Sequence, residues 1–445
     1  MTRESGNKAS AADFAKLHDL FQRLFAEGRT AELLQTAFRL LRFEKGFAAT
    51  LKFLLFRLPG DTIFHTKTSA RSFTMEKAAV FYRLAEICRD KCDFAKMDEL
   101  LNLYIKDGHD ELTLFSALCL TGNLQKAYAL APALFKSSSS AETLFFAADP
   151  WVNIHEERRI KAALSGVEAA FDGLKGQVKS LAAVHRFILS ERAGLNPAFK
   201  APRAQGSAES IIYLPAAEIL MGRFKFEMAE KILRAAADAW PASEIACGKL
   251  AEAMFCGGKR KAAIDFMAYG QKSISSPGFS AWRGQLLLFS SRYRESVKEL
   301  DKTIGAGNNL GWCWRGAALF KLGKKGPAME NLTKAVKVNP NDLEARVWRA
   351  ELLRTGKKFT RALDDLNHAL GVMPEHPWAL ANLALLAAER GDPAGFSTHY
   401  SRLPETIRLA CGRGTGNPAA LSELLAKLKG IRRHEPRFFH NLITP

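Results

Sequence analysis

A chain of 445 residues is too long for one compact core, which stops growing near roughly 250–300 residues, so it either holds several domains or grows by repetition. With 47% hydrophobic and 25% charged residues, and 30 Phe to fill cores, the composition excludes a disordered polypeptide. The formal charge of +18 is uneven, net +5 over residues 1–209 and net +13 over 210–445, which excludes an acidic surface for the C-terminal half.

From the N-terminus, residues 1–10 are polar and lack the apolar stretch of a secretory signal. The best candidate for a membrane span, 47–58, is short of the about 20 residues a span needs and contains Lys52 and Arg57. Seven scattered cysteines, an odd number, give no disulfide framework, and a cytoplasmic location is expected. Helical spacing of apolar residues predicts helices over 13–26, 31–44, 76–89, 94–106, 111–120 and 125–136, the last two joined by the turn Thr121-Gly122-Asn123. Breaks fall at 137–140 and 196–207. Residues 1–136 therefore read as divergent helical hairpins, and 137–209 as a helical segment with a linker.

Beyond residue 210 the chain repeats. Sliding 309–342 by 34 residues places Trp314-Arg315-Gly316 on Trp348-Arg349-Ala350, Ala328 on Ala362, Leu332 on Leu366, Ala335 on Ala369 and Pro340 on Pro374. Trp282-Arg283-Gly284 opens a slightly shorter copy. Ala217, Ala229, Leu233 and Ala236 precede Ala251, Ala263, Met267 and Gly270 at the same period. Each unit reads as two helices around a turn rich in Gly and Lys. Small residues mark where the two helices cross, since a large side chain would force the backbones apart, and proline ends the second helix.

These residues resemble the tetratricopeptide repeat family, which has a small residue at repeat position 8, alanine at 20 and 27, and proline at 32. Gly316, Ala328, Ala335 and Pro340 match, as do Ala350, Ala362, Ala369 and Pro374. The resemblance covers residues 210–410, about six units, and fades at Phe396, which stands at an alanine position. It implies an all-α superhelix of antiparallel helix hairpins. It departs from the family at position 7, where Arg283, Arg315 and Arg349 replace the usual leucine. Each has an acid 15 or 16 residues later (Glu299; Glu330; Asp364 or Asp365), so a charge pair within each unit is expected.

The resemblance further implies that the first helix of each unit lines a groove that binds a partner protein. Its groove positions fall on Ile211, Leu214, Met221, Phe255, Leu288, Phe289 and Phe320, with Glu218, Glu252, Gln285, Glu351 and Arg354 as the chief polar members. The Lys, Asn and Arg set with which chaperone-binding members grip a carboxylate is missing. An apolar groove suits a partner helix or hydrophobic segment, unless the chain's own N-terminal half or tail fills it. The basic residues Lys259, Arg260 and Lys261, Arg292 and Arg294, Lys324 and Lys325, and Lys357 and Lys358 recur at the turn of four successive units and predict a positive edge. Such an edge could attract nucleic acid, although lysine is ordinary at solvated turns and no aromatic stacking face accompanies it. By analogy with the family, a targeting subunit of an enzyme such as a glycosyltransferase is a further alternative.

After the repeats, Asn417-Pro418 is a helix start and Gly430 a stop, so 419–428 reads as a capping helix within a C-terminal segment, 411–445, that ends in a basic tail from 431. No enzyme signature, cofactor or metal site emerges. Cys88 and Cys92 lie one turn apart but lack a second ligand pair. His65, His109, His155 and His185 are isolated. Gly412-Arg413-Gly414-Thr415-Gly416 lacks the flanking strand and lysine of a phosphate loop. Asn331-Leu332-Thr333, a glycosylation sequon, lies inside a predicted helix. A protein-binding scaffold, not an enzyme, is the expectation.

Overall fold

The computed structural model describes residues 11–26, isolated positions between 32 and 40, 77–199 and 209–427, apart from short gaps within the last two stretches. The segment 47–58, most of 31–44, the tail from 431, and Cys92, His65, His109, His155, Pro374 and 412–415 lie outside the described residues. Among the described residues helix is the only regular secondary structure, as the spacing of apolar residues predicts. No described helix is long and apolar enough to cross a membrane.

The chain divides into two compact units, one of Met1–Ser138 with Asp149–Pro197, the other of Ser139–Ala148 with Ala198–Pro445. The first contains α1 (Ala11–Ala26), α2 (Lys77–Asp90), α3 (Phe94–Asp107), α4 (Glu111–Leu120) and α5 (Leu124–Ser137). After α6 (Ala141–Ala148), which belongs to the other unit, it resumes with α7 (Glu157–Phe171) and α8 (Gly176–Arg192). Helices α2 and α3, α4 and α5, and α7 and α8 pack as sequential pairs. Their core is formed by side chains such as Leu84, Leu100, Phe115, Leu118, Ala127 and Ile188. The α4–α5 turn is closed by Asn123 N–H donating to Leu118 O (2.8 Å) and Gly122 N–H to Cys119 O (2.9 Å), with Gly122 at φ +81°. This double bond around a left-handed residue satisfies the last carbonyls of the helix. Arg159 of α7 reaches Asp98 of α3 (2.6 Å) and the end carbonyl of α4, Leu120 O (2.9 Å), tying three helices together.

The second unit is built from hairpins whose members are designated A and B. The A helices are α9 with α10 (Glu209–Ile212, Leu214–Gly222), α12 (Glu244–Cys256), α14 (Pro277–Phe289), α16 (Leu310–Lys321), α18 (Leu343–Thr355) and α20 (Pro377–Glu389). The B helices are α11 (Phe226–Ala239), α13 (Arg260–Gly270), α15 (Tyr293–Gly305), α17 (Lys325–Val338), α19 (Phe359–Val372) and α21 (Pro393–Ser401). Each A helix packs on its own B helix and, from α12 on, on the B helix before it. From α12 to α20, successive A helices also pack on one another more closely than successive B helices do. Helix α22 (Pro418–Lys427), capped by Asn417 Oδ1 accepting from Ala419 N–H (2.9 Å), packs on α20.

Close backbone approach explains the small residues. A Cβ on Gly316 would lie 2.7 Å from Leu332 Cγ, and one on Gly284 2.7 Å from Leu300 Cγ, so both A–B crossings depend on a missing side chain. Ala328, Ala335, Ala362 and Ala369 are likewise buried at the crossings. Between repeats, the Trp282 ring occupies the space a Cβ on Gly248 would need. Trp282 Nε1 donates to the buried Glu252 Oε1 (2.7 Å), and Lys249 Nζ lies 5.5 Å from the ring centroid. The turns reuse one geometry. Lys259 N–H bonds to Met254 O and Lys324 N–H to Leu319 O (both 2.9 Å), as Asn123 does in the other unit, and Lys357 takes the left-handed position at φ +57°.

Two outcomes are expected. Gly248→Ala should destabilise the array by about 1–3 kcal/mol, because Trp282 has to leave its rotamer, whereas Gly326→Ala, with nothing within 4 Å, should be neutral or slightly stabilising. Denaturant midpoints of the two variants check this. The second concerns Asp342, which caps α18 by accepting from Ala345 N–H (2.9 Å) and whose pKa burial pushes up to about 6. The folded state then holds this proton more tightly than the unfolded chain, so stability is lost as pH rises through about 4 to 6. Asp342→Asn keeps the acceptor and should be more stable than the wild type by about 1–2 kcal/mol at pH 7.5, with the difference shrinking at pH 4.5 in parallel melts.

Candidate partner-binding face

The implied groove positions sit on the A helices, but they are largely closed. Ile211, Leu214, Met221, Phe255, Leu288 and Phe289 are at most 4% exposed, and only Phe320 of the apolar set is half-buried. Part of this burial is contact between neighbouring A helices. Phe255 meets Phe289 edge-on at 6.3 Å, Phe289 meets Trp314 at 5.8 Å, and Phe320 meets Trp348 at 6.4 Å. Helix α6 also packs against α9, α10 and α12, the helices that carry Ile211, Leu214, Met221 and Phe255.

The polar members are also engaged. Lys249 bridges Glu218 (2.7 Å) and Glu252 (3.3 Å), Lys321 pairs with Glu351 (3.5 Å), and Arg354 bonds Asn382 (3.1 Å) and pairs with Glu389. Glu351 and Arg354 are each 6% exposed. All but the Lys249–Glu252 pair, which lies within α12, join one A helix to the next, so these bridges favour one register of neighbouring units. Lys249 and Trp282 lie off the groove positions carried over from the family. The signal is that Lys249 stands one helical turn from Glu252 and Trp282 opposite Gly248 of the preceding unit.

The basic edge is solvent-exposed. Lys259 pairs with Glu230 (2.9 Å), Arg292 pairs with Glu295 (2.7 Å), and the half-buried Arg260 lies 5.5 Å from the Phe255 ring centroid. Arg294, Lys261, Lys324, Lys325, Lys357 and Lys358 are exposed. Lys259, Arg292, Lys324 and Lys358 occupy the N-cap positions of α13, α15, α17 and α19 and make no capping bond. A cation at a helix N-terminus opposes the helix dipole and displaces a capping residue, so each placement costs stability.

The position-7 arginines form the expected pairs in two units. Arg283 donates to Glu299 (2.7 Å), and Arg349 is bidentate to Asp365 (both 2.7 Å), which also receives Arg346 (3.0 Å). Arg315 differs: it pairs with Asp301 of the preceding B helix (2.6 Å) and bonds Asn331 (3.1 Å), while Glu330 is exposed. The reason is helical rotation. An offset of 16 residues, as from 283 to 299, 315 to 331 and 349 to 365, faces the arginine, and one residue less turns the side chain outward by about 100°. Among the described residues no group of three or more His, Cys, Asp or Glu is placed to hold a metal. Burial pushes the Cys88 thiol up to about 12, away from the thiolate a metal or a nucleophile needs. His185 is buried against Tyr128, its Nδ1 3.2 Å from the phenol oxygen. Because Asp365 is 3% exposed and neutralises two partly buried arginines, Asp365→Ala should cost about 2–4 kcal/mol, and Glu330→Ala within about 0.5 kcal/mol of nothing, in denaturant titrations.

No family model matches the chain, and no curated protein matches it. Among solved structures, pilF of Pseudomonas aeruginosa is 19% identical, with 49% of this chain and 97% of that chain covered and a TM-score of 0.37. PilW, a type IV pilus biogenesis factor, is 16% identical over 48% and 98%, with a TM-score of 0.39. The APC/C hetero-tetramer Cut9–Hcn1 is 13% identical over 94% and 90%, with a TM-score of 0.41. The repeat of about 34 residues, the hairpin order and the small residues where A and B helices cross, as at Gly284 and Gly316, give residues 209–401 the fold of a tetratricopeptide-type helical solenoid.

Proposed function

We propose that the chain is a protein–protein interaction scaffold whose A-helix face binds an apolar helical segment of another protein. The observation that carries this reading is that the N-terminal end of the face already holds such a segment, α6, packed on α9, α10 and α12. Helix-in-groove binding uses this chemistry: an apolar stripe buried against the A layer, with little charge at its centre. Phe320, beside Trp348, is half-buried, whereas the other implied apolar groove positions are buried. The six described cysteines are free and buried, which fits a reducing compartment, and we place the protein in the cytoplasm.

Nucleic-acid binding through Lys324, Lys325, Lys357 and Lys358 is the competing reading. It is favoured by four exposed lysines on consecutive turns and by the stability given up at their N-caps. One series separates the two. Full-length protein is used to retain binders from native extract, with and without nuclease, at two salt concentrations. For the scaffold, Phe320→Ala should weaken retention by a free energy on the order of 1–3 kcal/mol with slight salt dependence, and reversing the four lysines should matter little. Retention that falls steeply with salt, disappears with nuclease and ignores Phe320→Ala would replace the scaffold by the nucleic-acid reading.

A further inference from the structure

The path of the chain around α6 is unusual. Both flanking segments, ending at Ser138 and resuming at Asp149, belong to the first compact unit, yet residues 139–148 belong to the second. The second unit therefore holds α6 by side-chain packing, and its own chain does not begin until Ala198. The helix is eight residues long, Ala-Glu-Thr-Leu-Phe-Phe-Ala-Ala, far below the length at which a helix is stable alone in water. Its helicity must come from the surface it rests on. It is also sharply bounded. Ser140 Oγ accepts from Thr143 N–H (3.2 Å) at the start, and Asp149-Pro150 ends it.

What it contributes is an apolar side. Ala141, Leu144, Phe145, Ala147 and Ala148 are buried, and the helix packs on the A helices that carry Ile211, Leu214, Met221 and Phe255. A two-turn helix joined at both ends to a different compact unit, and folded only where it docks, is built to detach without unfolding what it covers. Local opening of this kind is the property of small elements whose contacts are few relative to the core.

We infer that α6 is a displaceable internal occupant of the A-helix face, and that a partner's short apolar helix with adjacent Leu and Phe takes its place. The inference rests on the scaffold reading and adds its regulation. The partner competes with a tethered helix at high effective concentration, so its apparent affinity falls by the fraction of molecules in which α6 is undocked.

Amide hydrogen exchange on the full-length wild type tests this first. Amides of Leu144–Ala148 should exchange on the order of a hundredfold faster than those of Leu250–Cys256 in α12, at denaturant concentrations too low to open the array. Exchange of α6 in step with α12, through global unfolding alone, would overturn the inference. The second measurement uses a fluorescent peptide of residues 139–150 and the variant Leu144→Ala/Phe145→Ala, with Phe145→Ala alone as the milder form if the double variant unfolds. The peptide should bind the weakened variant at least about tenfold more tightly than the wild type, which keeps its own helix in place. Equal binding to both, or none to either, counts against displacement. Extract binders that still depend on Phe320 while α6 exchanges only globally would refute displacement and leave the scaffold reading intact.

Discussion

A Cβ on Gly316 would meet Leu332 at 2.7 Å, and one on Gly248 would meet the ring of Trp282. Those two contacts are the constraint from which the array follows. The first type lets an A helix lie close enough on its own B helix for Leu332 and Ala335 to be buried between them. The second lets a tryptophan from one unit key into the A helix of the unit before it, where Glu252 receives its indole N–H. Packing at this distance is steep in energy, because interiors are as dense as crystals and a single methyl group has to be accommodated by movement. Repeating it every unit produces a solenoid rather than a globule, since each hairpin touches chiefly its neighbours.

Once backbones are held this close, charges near the contacts can be buried only in pairs. Asp365 takes two arginines, Glu299 takes Arg283, and Arg354 is shared between Asn382 and Glu389 of the next A helix. Some of these bonds lie within a hairpin and others cross between units, so they penalise a slip of register more than they add net stability. They also remove charge from the A-helix face. The lysines of the basic edge stay exposed at the turns, at the N-termini of B helices, where the backbone already presents positive charge.

The same face is where α6 lies. The A helices that carry the buried Ile211, Leu214, Met221 and Phe255 pack against a short helix from an earlier part of the chain. Under the proposed displacement, a segment of marginal intrinsic stability keeps that part of the face recoverable.

Much of the architecture was legible in the sequence. The 34-residue period, the glycines and alanines at crossings, the Gly- and Lys-rich turns and the Asn417 cap depend on spacings within a hairpin, which local chain geometry preserves. The helices expected at 94–106, 111–120 and 125–136 lie where the apolar spacing puts them, within a residue or so at each end. The charge pairs were legible in part. Spacing named Glu299 and Asp365 as partners of Arg283 and Arg349 but assigned Glu330 to Arg315, because one residue of helical rotation separates a facing side chain from an exposed one. What covers the groove positions was decided by tertiary structure alone. Nothing in the order of residues says that 139–148 leaves the helices on either side of it to pack on α10 and α12, since that depends on which apolar surfaces meet in space. Burial of Phe255 and Leu288, and exposure of Lys324 and Lys358, are settled at that level, because periodicity defines a helix face and only packing decides what lies against it.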